Sequence, residues 1–196
     1  MADAGLYPKK TAVLLMDLQN EIVSRIPCEG LLERAASVAR AARTAGMQVI
    51  YVQVAFREGY PEVSPNNAGF QKLKASGGLR QDSAGAQIDA AVEPQPGDLR
   101  IYKRRISAFA GSDLELILRA MGVQSLVLLG LSTSGVVLST LRQAADLDYT
   151  LRVIEDGCAD ADAEVHSVLM RKVFPRQATV LTARAFIEGL DAARFA

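Results

Sequence analysis

The sequence predicts an α/β fold, a three-layer α/β/α sandwich around a mainly parallel, doubly wound sheet. Short apolar runs rich in β-branched residues alternate along the chain with segments whose apolar residues recur at helical spacing. The runs are apolar throughout, which is typical of strands in a parallel sheet that helices cover on both faces. Because 49% of the 196 residues are hydrophobic, the chain can fill one core, and we expect a single domain over residues 1–196.

The first half of the chain contains one strand, helix, strand unit. Strands are predicted at residues 11–16 (TAVLLM) and 48–55 (QVIYVQVA). Apolar residues at helical spacing predict a helix between them that ends at Gly46, and these residues are Leu31, Leu32, Ala35, Val38, Ala39 and Ala42. The stretch 56–97 holds four prolines and has no clear periodicity. A connection of that length is usually functional, so we expect it to wall a pocket and to contain a short helix.

The second half repeats the alternation of strands and helices. The motif SDLE at residues 112–115 has the pattern of a capping box and predicts the start of a helix that Gly122 ends. Two more helices are predicted around Leu141 and Leu169, where apolar residues again recur at helical spacing. The predicted strands of this half are residues 99–102, 125–129, 151–154 and 179–181.

Charge and residue content exclude several classes of function. Lys plus Arg (22) equal Asp plus Glu (22), so no excess positive charge is available to bind nucleic acid or an anionic membrane surface. No apolar run approaches the roughly 20 residues that span a bilayer, and residues 1–10 lack the order of a secretory signal, so we expect a cytoplasmic protein. Cys28 and Cys158 are expected to be free thiols. The single histidine, His166, has no second ligand at metal-binding spacing, so it is interpreted as structural or exposed, and neither a metal nor a cofactor is expected.

Candidate functional residues follow the predicted strands, because ligands of open parallel sheets bind at the carboxyl ends of the strands. Asp17 follows a wholly apolar strand, and burial raises the pKa of a carboxyl unless a cation lies nearby. Lys103 is the natural cation, and an Asp–Lys pair is suited to hold and transfer a proton. The alternative interpretation is that Asp17 caps a helix and Lys103 is a surface charge.

Three motifs stand in order on these strand ends: MDLQN at residues 16–20, KRRISAF at 103–109 and GLSTSGVV at 130–137. With these motifs, nearly the whole chain resembles the isochorismatase-like superfamily, which includes nicotinamidases, carbamoylsarcosine amidohydrolases and isochorismatases. The resemblance implies the sandwich fold, a small-molecule substrate and catalytic roles for Asp17 and Lys103. In cysteine-using members, a triad of Asp, Lys and Cys attacks an amide or imide carbonyl, and the Cys position falls on Val136.

The resemblance also implies details of the site. The peptide bond between Leu131 and Ser132 is expected to be cis, and the N–H groups of Ser132 and Val136 are expected to form an oxyanion hole. The metal site of nicotinamidases has no counterpart in residues 53–62, which again predicts no metal. The residues expected to contact substrate are Gln19, Phe56, Arg57, Tyr60, Phe109, Ser132, Thr133 and Ser134.

Family members usually form dimers or larger symmetric assemblies, so the resemblance implies a homo-oligomer. The C-terminal segment is apolar, and we expect its side chains to help cover a subunit interface. The residues in question are Phe186, Ile187 and Leu190.

Valine has no nucleophilic atom, so the thioester route cannot run through Val136. Three explanations of this residue stay open. The leading one follows the isochorismatases, which lack the cysteine and cleave a vinyl ether by protonation: Asp17 acts as an acid without a covalent intermediate. The second is a displaced nucleophile, either Cys158 at the end of the fifth strand or a hydroxyl of residues 132–134. The third is a catalytically inactive member that binds a metabolite or serves as an assembly subunit.

Overall fold

The computed structural model describes residues 7–194, so most of the N-terminal segment considered above lies outside the described residues. Six strands form one sheet in the order β3-β2-β1-β4-β5-β6, and all five neighbouring pairs are parallel. The predicted fold class is confirmed. The strands are β1 (Thr11–Met16), β2 (Gln48–Val54), β3 (Leu99–Lys103), β4 (Ser125–Leu131), β5 (Thr150–Ala159) and β6 (Thr179–Leu181).

Helices cover both faces of this sheet. The chain moves outward from β1 to β3, then crosses to β4 and moves outward in the opposite direction to β6. Because parallel crossovers are right-handed, this reversal places the helix after β1 on one face and the helices after β3, β4 and β5 on the other. The helices are α1 (Asn20–Val23), α2 (Leu31–Thr44), α3 (Ala68–Ser76), α4 (Leu114–Ala120), α5 (Leu138–Asp146), α6 (Ala163–Val168) and α7 (Ala183–Arg194).

The strands have the burial that their composition predicts. All six residues of β1 are buried, and so are six of the seven in β2 and in β4. β5 is longer than predicted, because it continues past an irregularity in its pairing with β4 between Leu128 and Gly130. At Gly130, with φ 141°, an added Cβ would overlap the carbonyl oxygen of Met16. Only glycine therefore fits at this position of β4, which is in register with Met16 of β1.

The connection 56–97 contains the predicted short helix, α3, together with two short 3₁₀ turns, Ala84–Ala86 and Ala90–Val92. A second, smaller apolar cluster lies under it, formed by Val54, Phe56, Tyr60, Val63, Leu79 and Ala86. Buried hydrogen bonds of Gln19 attach the connection to the sheet: its Nε2 donates to the carbonyls of Val54 (2.9 Å) and Ala86 (2.8 Å), and its Oε1 accepts from Val54 N–H (2.9 Å). Glu21 Oε2 adds a further attachment by accepting from Leu79 N–H (3.0 Å).

Two local predictions are wrong. The capping box does not close, because Ser112 Oγ accepts from Leu114 N–H (3.2 Å) while Glu115 pairs instead with Arg119 (2.9 Å). The apolar residues of α7 pack inside their own chain, since Phe186 and Leu190 are buried and Ile187 packs against the same core. Phe186 and Leu190 are therefore not available for a subunit interface, whereas Ile187 is only partly buried, and the homo-oligomer stays a prediction. Within residues 7–194, none of the helices has both the length and the apolar character needed to cross a bilayer.

Candidate active site

The carboxylate of Asp17 lies at the point where the strand order reverses. Asp17 directly follows β1, and its N–H donates to the carbonyl of Val52 in β2 (2.8 Å). Its φ of 57° is in the left-handed region, which L-residues seldom adopt and which turns the chain sharply out of the strand. Crevices at such reversals are the usual ligand sites of doubly wound sheets.

Lys103 ends β3 and lies two strands away from β1. Its backbone is held beside β2, where it is in register with Val54. From there its side chain meets Asp17, with Nζ 2.9 Å from Oδ2, and Nζ also donates to the carbonyl of Arg105 (3.0 Å). The structure thus brings together the two side chains that the sequence pattern paired.

The ion pair is almost completely buried, with 7% of the Asp17 side chain and 2% of the Lys103 side chain exposed. Burial raises the pKa of Asp17 above its ordinary value, and the neighbouring Lys103 opposes this effect without cancelling it. The second carboxylate oxygen, Oδ1, is buried and has no hydrogen-bond partner among residues 7–194. Buried polar atoms are normally satisfied, so Oδ1 is available to a ligand.

The turn after β4 forms the opposite side of the site. The peptide bond between Leu131 and Ser132 is cis, as predicted. A π-helical turn, Thr133–Val137, follows and leads into α5. Gly135 packs against Ser132, because an added Cβ there would lie 2.7 Å from Ser132 Oγ. Ser132 and Val136 of this turn line the same cavity.

Asp17, Lys103, Ser132 and Val136 line one cavity of about 330 Å³. We call these four residues the floor. The remaining lining is mostly apolar, and most of it comes from α1, the residues after it and the connection 56–97. We define its main part, Ile22, Ile26, Phe70, Leu73 and Leu79, as the apolar wall. The other lining residues are Val54, Asn67, Gly69, Ile106, Leu131 and Gly135.

Of the eight residues predicted to contact substrate, Ser132 lines this cavity and the other seven do not. Gln19 is fully buried in the attachment described above. Phe56 and Tyr60 belong to the second apolar cluster: the Phe56 ring lies edge-on to Phe70 at 5.3 Å, and Tyr60 Oη donates to the carbonyl of Gly78 (2.8 Å). These residues support the wall from behind.

The other four lie away from the cavity for different reasons. Arg57 is exposed and pairs with Glu62 (2.7 Å), and the ring of Phe109 stacks on Tyr149 at 6.1 Å. Thr133 is fully buried, and its Oγ1 lies 2.8 Å from Nδ1 of His166. The remaining residue, Ser134, is exposed and donates its N–H to a carboxylate oxygen of Asp160 (2.7 Å).

Sequence reasoning missed the apolar wall. The signal was present in part, because Phe70 and Leu73 are three residues apart, which puts them on one side of α3. Ile26 lies beyond the end of α1, so no helical spacing relates it to Ile22. The surrounding polar residues and prolines hid this pattern. The structure adds the position of these segments, over the carboxyl ends of the strands.

Neither cysteine lines the cavity. Cys158 is buried on β5, in register with Gly130 of β4, and burial raises its pKa to about 12. Cys28 is half-buried, and its Sγ lies 3.9 Å from the carbonyl of Val23. Within residues 7–194, no three His, Cys, Asp or Glu side chains are grouped so as to hold a metal ion.

Comparison with known proteins identifies relatives of this arrangement. Residues 11–185 match the model of the isochorismatase domain family. The chain is 33% identical over 193 residues to YecD, an isochorismatase family protein of Escherichia coli O157:H7, covering 94% of this chain and 98% of that protein. It is also 35% identical over 180 residues to RutB, a ureidoacrylate amidohydrolase of Caulobacter vibrioides, covering 79% of each.

Solved structures give the same result. The N-carbamoylsarcosine amidase of Thermoplasma acidophilum superposes with a TM-score of 0.73 at 26% identity, covering 89% of this chain and 96% of that one. A cysteine hydrolase of Pseudomonas syringae pv. phaseolicola superposes with a TM-score of 0.90, covering 98% of this chain and all of that one, but at 20% identity it supports the fold alone. From the match over residues 11–185, we conclude that the chain belongs to the isochorismatase domain family, whose members include hydrolases.

Proposed function

We propose that the protein hydrolyses a small molecule with Asp17 as general acid and base, Lys103 as its electrostatic partner and no thioester at position 136. One observation carries the proposal. A buried carboxylate with an unpartnered oxygen lies in a cavity beside a lysine ammonium at 2.9 Å. Such a group has the raised pKa and the free lone pair that proton transfer to a substrate requires.

The reaction follows from this arrangement. With its pKa raised, Asp17 holds a proton on Oδ1 at a pH where an exposed carboxyl has lost it, and it donates that proton to the scissile C–N unit or vinyl ether. Lys103 stabilises the carboxylate that this step leaves. Water then adds to the activated carbon and returns a proton to Asp17, so the bond to the leaving group breaks and the enzyme is restored.

Water is proposed as the attacking group because the resemblance places valine at the nucleophile position. Val136 has no atom that attacks a carbonyl, and neither cysteine lines the cavity. We propose that the N–H groups of Ser132 and Val136 stabilise the developing oxyanion, since backbone donors serve whatever the side chain is. The names of RutB and of the solved amidase favour a C–N bond as the target.

A second candidate function is a binding subunit without chemistry. The observation that favours it is Val136 itself, an apolar residue of the floor in a cavity with a mostly apolar lining. In that case the ion pair of Asp17 and Lys103 holds the site together and transfers no proton.

Turnover by the wild type and by Asp17→Asn decides between the two. The panel contains isochorismate, ureidoacrylate, N-carbamoylsarcosine and small neutral amides and imides, and Arg57→Ala is the control because Arg57 does not line the cavity. We expect turnover of at least one compound, reduced about 10²- to 10⁴-fold in Asp17→Asn and unchanged in the control. Turnover that survives Asp17→Asn contradicts the mechanism. No turnover by the wild type, together with amidase activity gained by Val136→Cys, supports the binding subunit.

A further inference from the structure

We infer that the cavity selects an uncharged substrate with an apolar group and discriminates against carboxylates. That the bound molecule is turned over rests on the proposed function, whereas the selection by charge follows from the lining of the cavity. The inference concerns what the site binds, whereas the proposed function concerns what Asp17 does.

When Asp17 is ionised, the charges inside the cavity neutralise each other. Asp17 and Lys103 are the only charged residues among the described lining residues, and they are paired at 2.9 Å. Lys103 has a further partner in the carbonyl of Arg105 at 3.0 Å. In that state a bound carboxylate would lie close to the Asp17 carboxylate with no second cation to compensate it, and burying an unpaired charge is unfavourable.

The arginines of the surrounding segments have other partners. Arg57 pairs with Glu62 at 2.7 Å, and Arg104 pairs with Glu62 at 3.3 Å and with Gln81 at 3.0 Å. Burial alone raises the pKa of Glu62, but the nearby arginines and its hydrogen bonds leave that pKa below the ordinary value. Arg105 donates from Nη1 to the carbonyl of Arg104 at 2.6 Å. None of these arginines lines the cavity, so none is placed to form the bidentate contact by which proteins usually bind carboxylates.

The apolar wall supplies the complementary attraction. Phe70 and Leu73 approach from α3, and Ile22 and Ile26 approach from the segment that begins with α1. Ile106, which also lines the cavity, is 51% exposed, so a ligand that covers it removes apolar surface from water. A space of about 330 Å³ is at the small end of ligand pockets and suits a molecule of one ring with a short polar group.

The polar part of such a ligand meets the unpartnered oxygen of Asp17. Oδ1 accepts a hydrogen bond when ionised and donates one when protonated, so it is suited to a neutral amide, which carries both kinds of group. A carboxylate has no donor and accepts only from the protonated form. Hydrogen bonding to Asp17 Oδ1 therefore also favours a neutral amide over a carboxylate, in addition to the effect of charge.

Equilibrium binding of benzamide and benzoate to the wild type tests the inference, since the two probes have nearly the same shape and differ in charge at neutral pH. Isothermal titration calorimetry and a fluorescence competition assay give their Kd values, and release of ammonia from benzamide is followed separately. We expect benzamide to bind at least about tenfold more tightly than benzoate. Equal or tighter binding of benzoate, or no binding of benzamide at about 10 mM, overturns the inference.

Leu73→Arg, with Leu73→Gln as its uncharged control, shows whether the discrimination arises in this cavity. Leu73 is a half-buried wall residue on α3, and an arginine there supplies the missing cation. We expect the ratio of benzoate to benzamide affinity to rise at least about tenfold in Leu73→Arg and to change less than threefold in Leu73→Gln. An unchanged ratio in Leu73→Arg overturns the assignment to the wall. Because this readout is binding, it can succeed or fail independently of the effect of Asp17→Asn on turnover.

Discussion

The floor and the apolar wall differ in how the chain builds them. The floor comes from the ends of β1, β3 and β4 and from the turn after β4, all fixed by the hydrogen bonding of the central sheet. The wall comes from α1, the residues after it and the connection 56–97, which side chains such as Gln19 attach to the sheet. The buried charges, and with them the proposed proton transfer, therefore belong to strand ends, whereas the proposed selection by size and polarity belongs to two segments attached over those ends.

Lys103→Met should lower the unfolding free energy more than any other change considered, because it leaves Asp17 buried without its cation. Removing one member of a buried pair typically costs about 3–5 kcal/mol of unfolding free energy, and urea denaturation at neutral pH measures it. The double variant Asp17→Asn, Lys103→Met removes both charges, so it should regain more than half of that loss. If single and double variants were equally unstable, the floor would depend on the packing of the lysine stem and not on charge.

Gln19→Leu should have the next largest effect and should act on the wall. It leaves the groups bonded to the Gln19 side chain at Val54 and Ala86 without that partner, which we expect to cost about 2–3 kcal/mol. Hydrogen exchange should accelerate in residues 68–86 and stay unchanged in β1. Asn20→Ala is the matched control, because the hydrogen bond that Asn20 Nδ2 donates to the carbonyl of Ala84 is exposed. Equal acceleration in β1 would show that wall and floor are one unit.

The titration of Asp17 should change the unfolding free energy by an intermediate amount, and this change should be specific to the floor. Burial raises the pKa of Asp17 above 3.8, so the folded state binds this proton more tightly than the unfolded chain does. The contribution of Asp17 to stability is therefore full below pH 3.8 and is lost as pH rises through the raised pKa. Within that window the wild type should lose stability relative to Asp17→Asn by up to about 1.4 kcal/mol per pH unit, measured by urea denaturation between pH 4 and 8. A pH-independent difference would contradict the raised pKa.

Arg57→Ala should have the smallest effect. Arg57 is 67% exposed, and its partner Glu62 retains Arg104, so the unfolding free energy should change by less than about 1 kcal/mol. Once a substrate is in hand, KM and kcat should change less than about twofold. A large increase in KM would mean that Arg57 reaches the ligand and that the wall is not the only selective region.

The parts of the molecule predicted from sequence are those with strong local patterns. The apolar runs at residues 11–16 and 179–181 coincide with β1 and β6. β2 ends one residue earlier than predicted, and β3, β4 and β5 are longer because their pairing continues beyond the predicted residues. β5 shows this most clearly: it runs on to Ala159 because the irregularity opposite Gly130 keeps it beside β4. Nothing in the local sequence of β5 encodes that pairing.

The candidate site divides in the same way. Asp17 and Lys103 were placed together because strand ends of a parallel sheet converge, and the structure pairs them. The sequence predicts that the aromatic residues Phe56 and Tyr60 face substrate, but both rings are buried in the second cluster. Burying a large aromatic ring removes much apolar surface from water, which favours this position over an exposed one. Sequence alone does not say how 42 residues, 56–97, fold back over an edge, so the wall required the structure.

The connection 56–97 supplies most of the apolar wall as one continuous stretch of chain, which is useful for engineering. A library confined to α3 and its flanks would change three of the five wall residues, Phe70, Leu73 and Leu79, in one contiguous cassette. Such a cassette keeps glycine at positions 78 and 85, because an added Cβ at either position would displace the Glu21 carboxylate, whose Oε2 accepts from Leu79 N–H. Such a library would alter the polarity of the cavity while the strand ends that carry the proposed chemistry stay untouched.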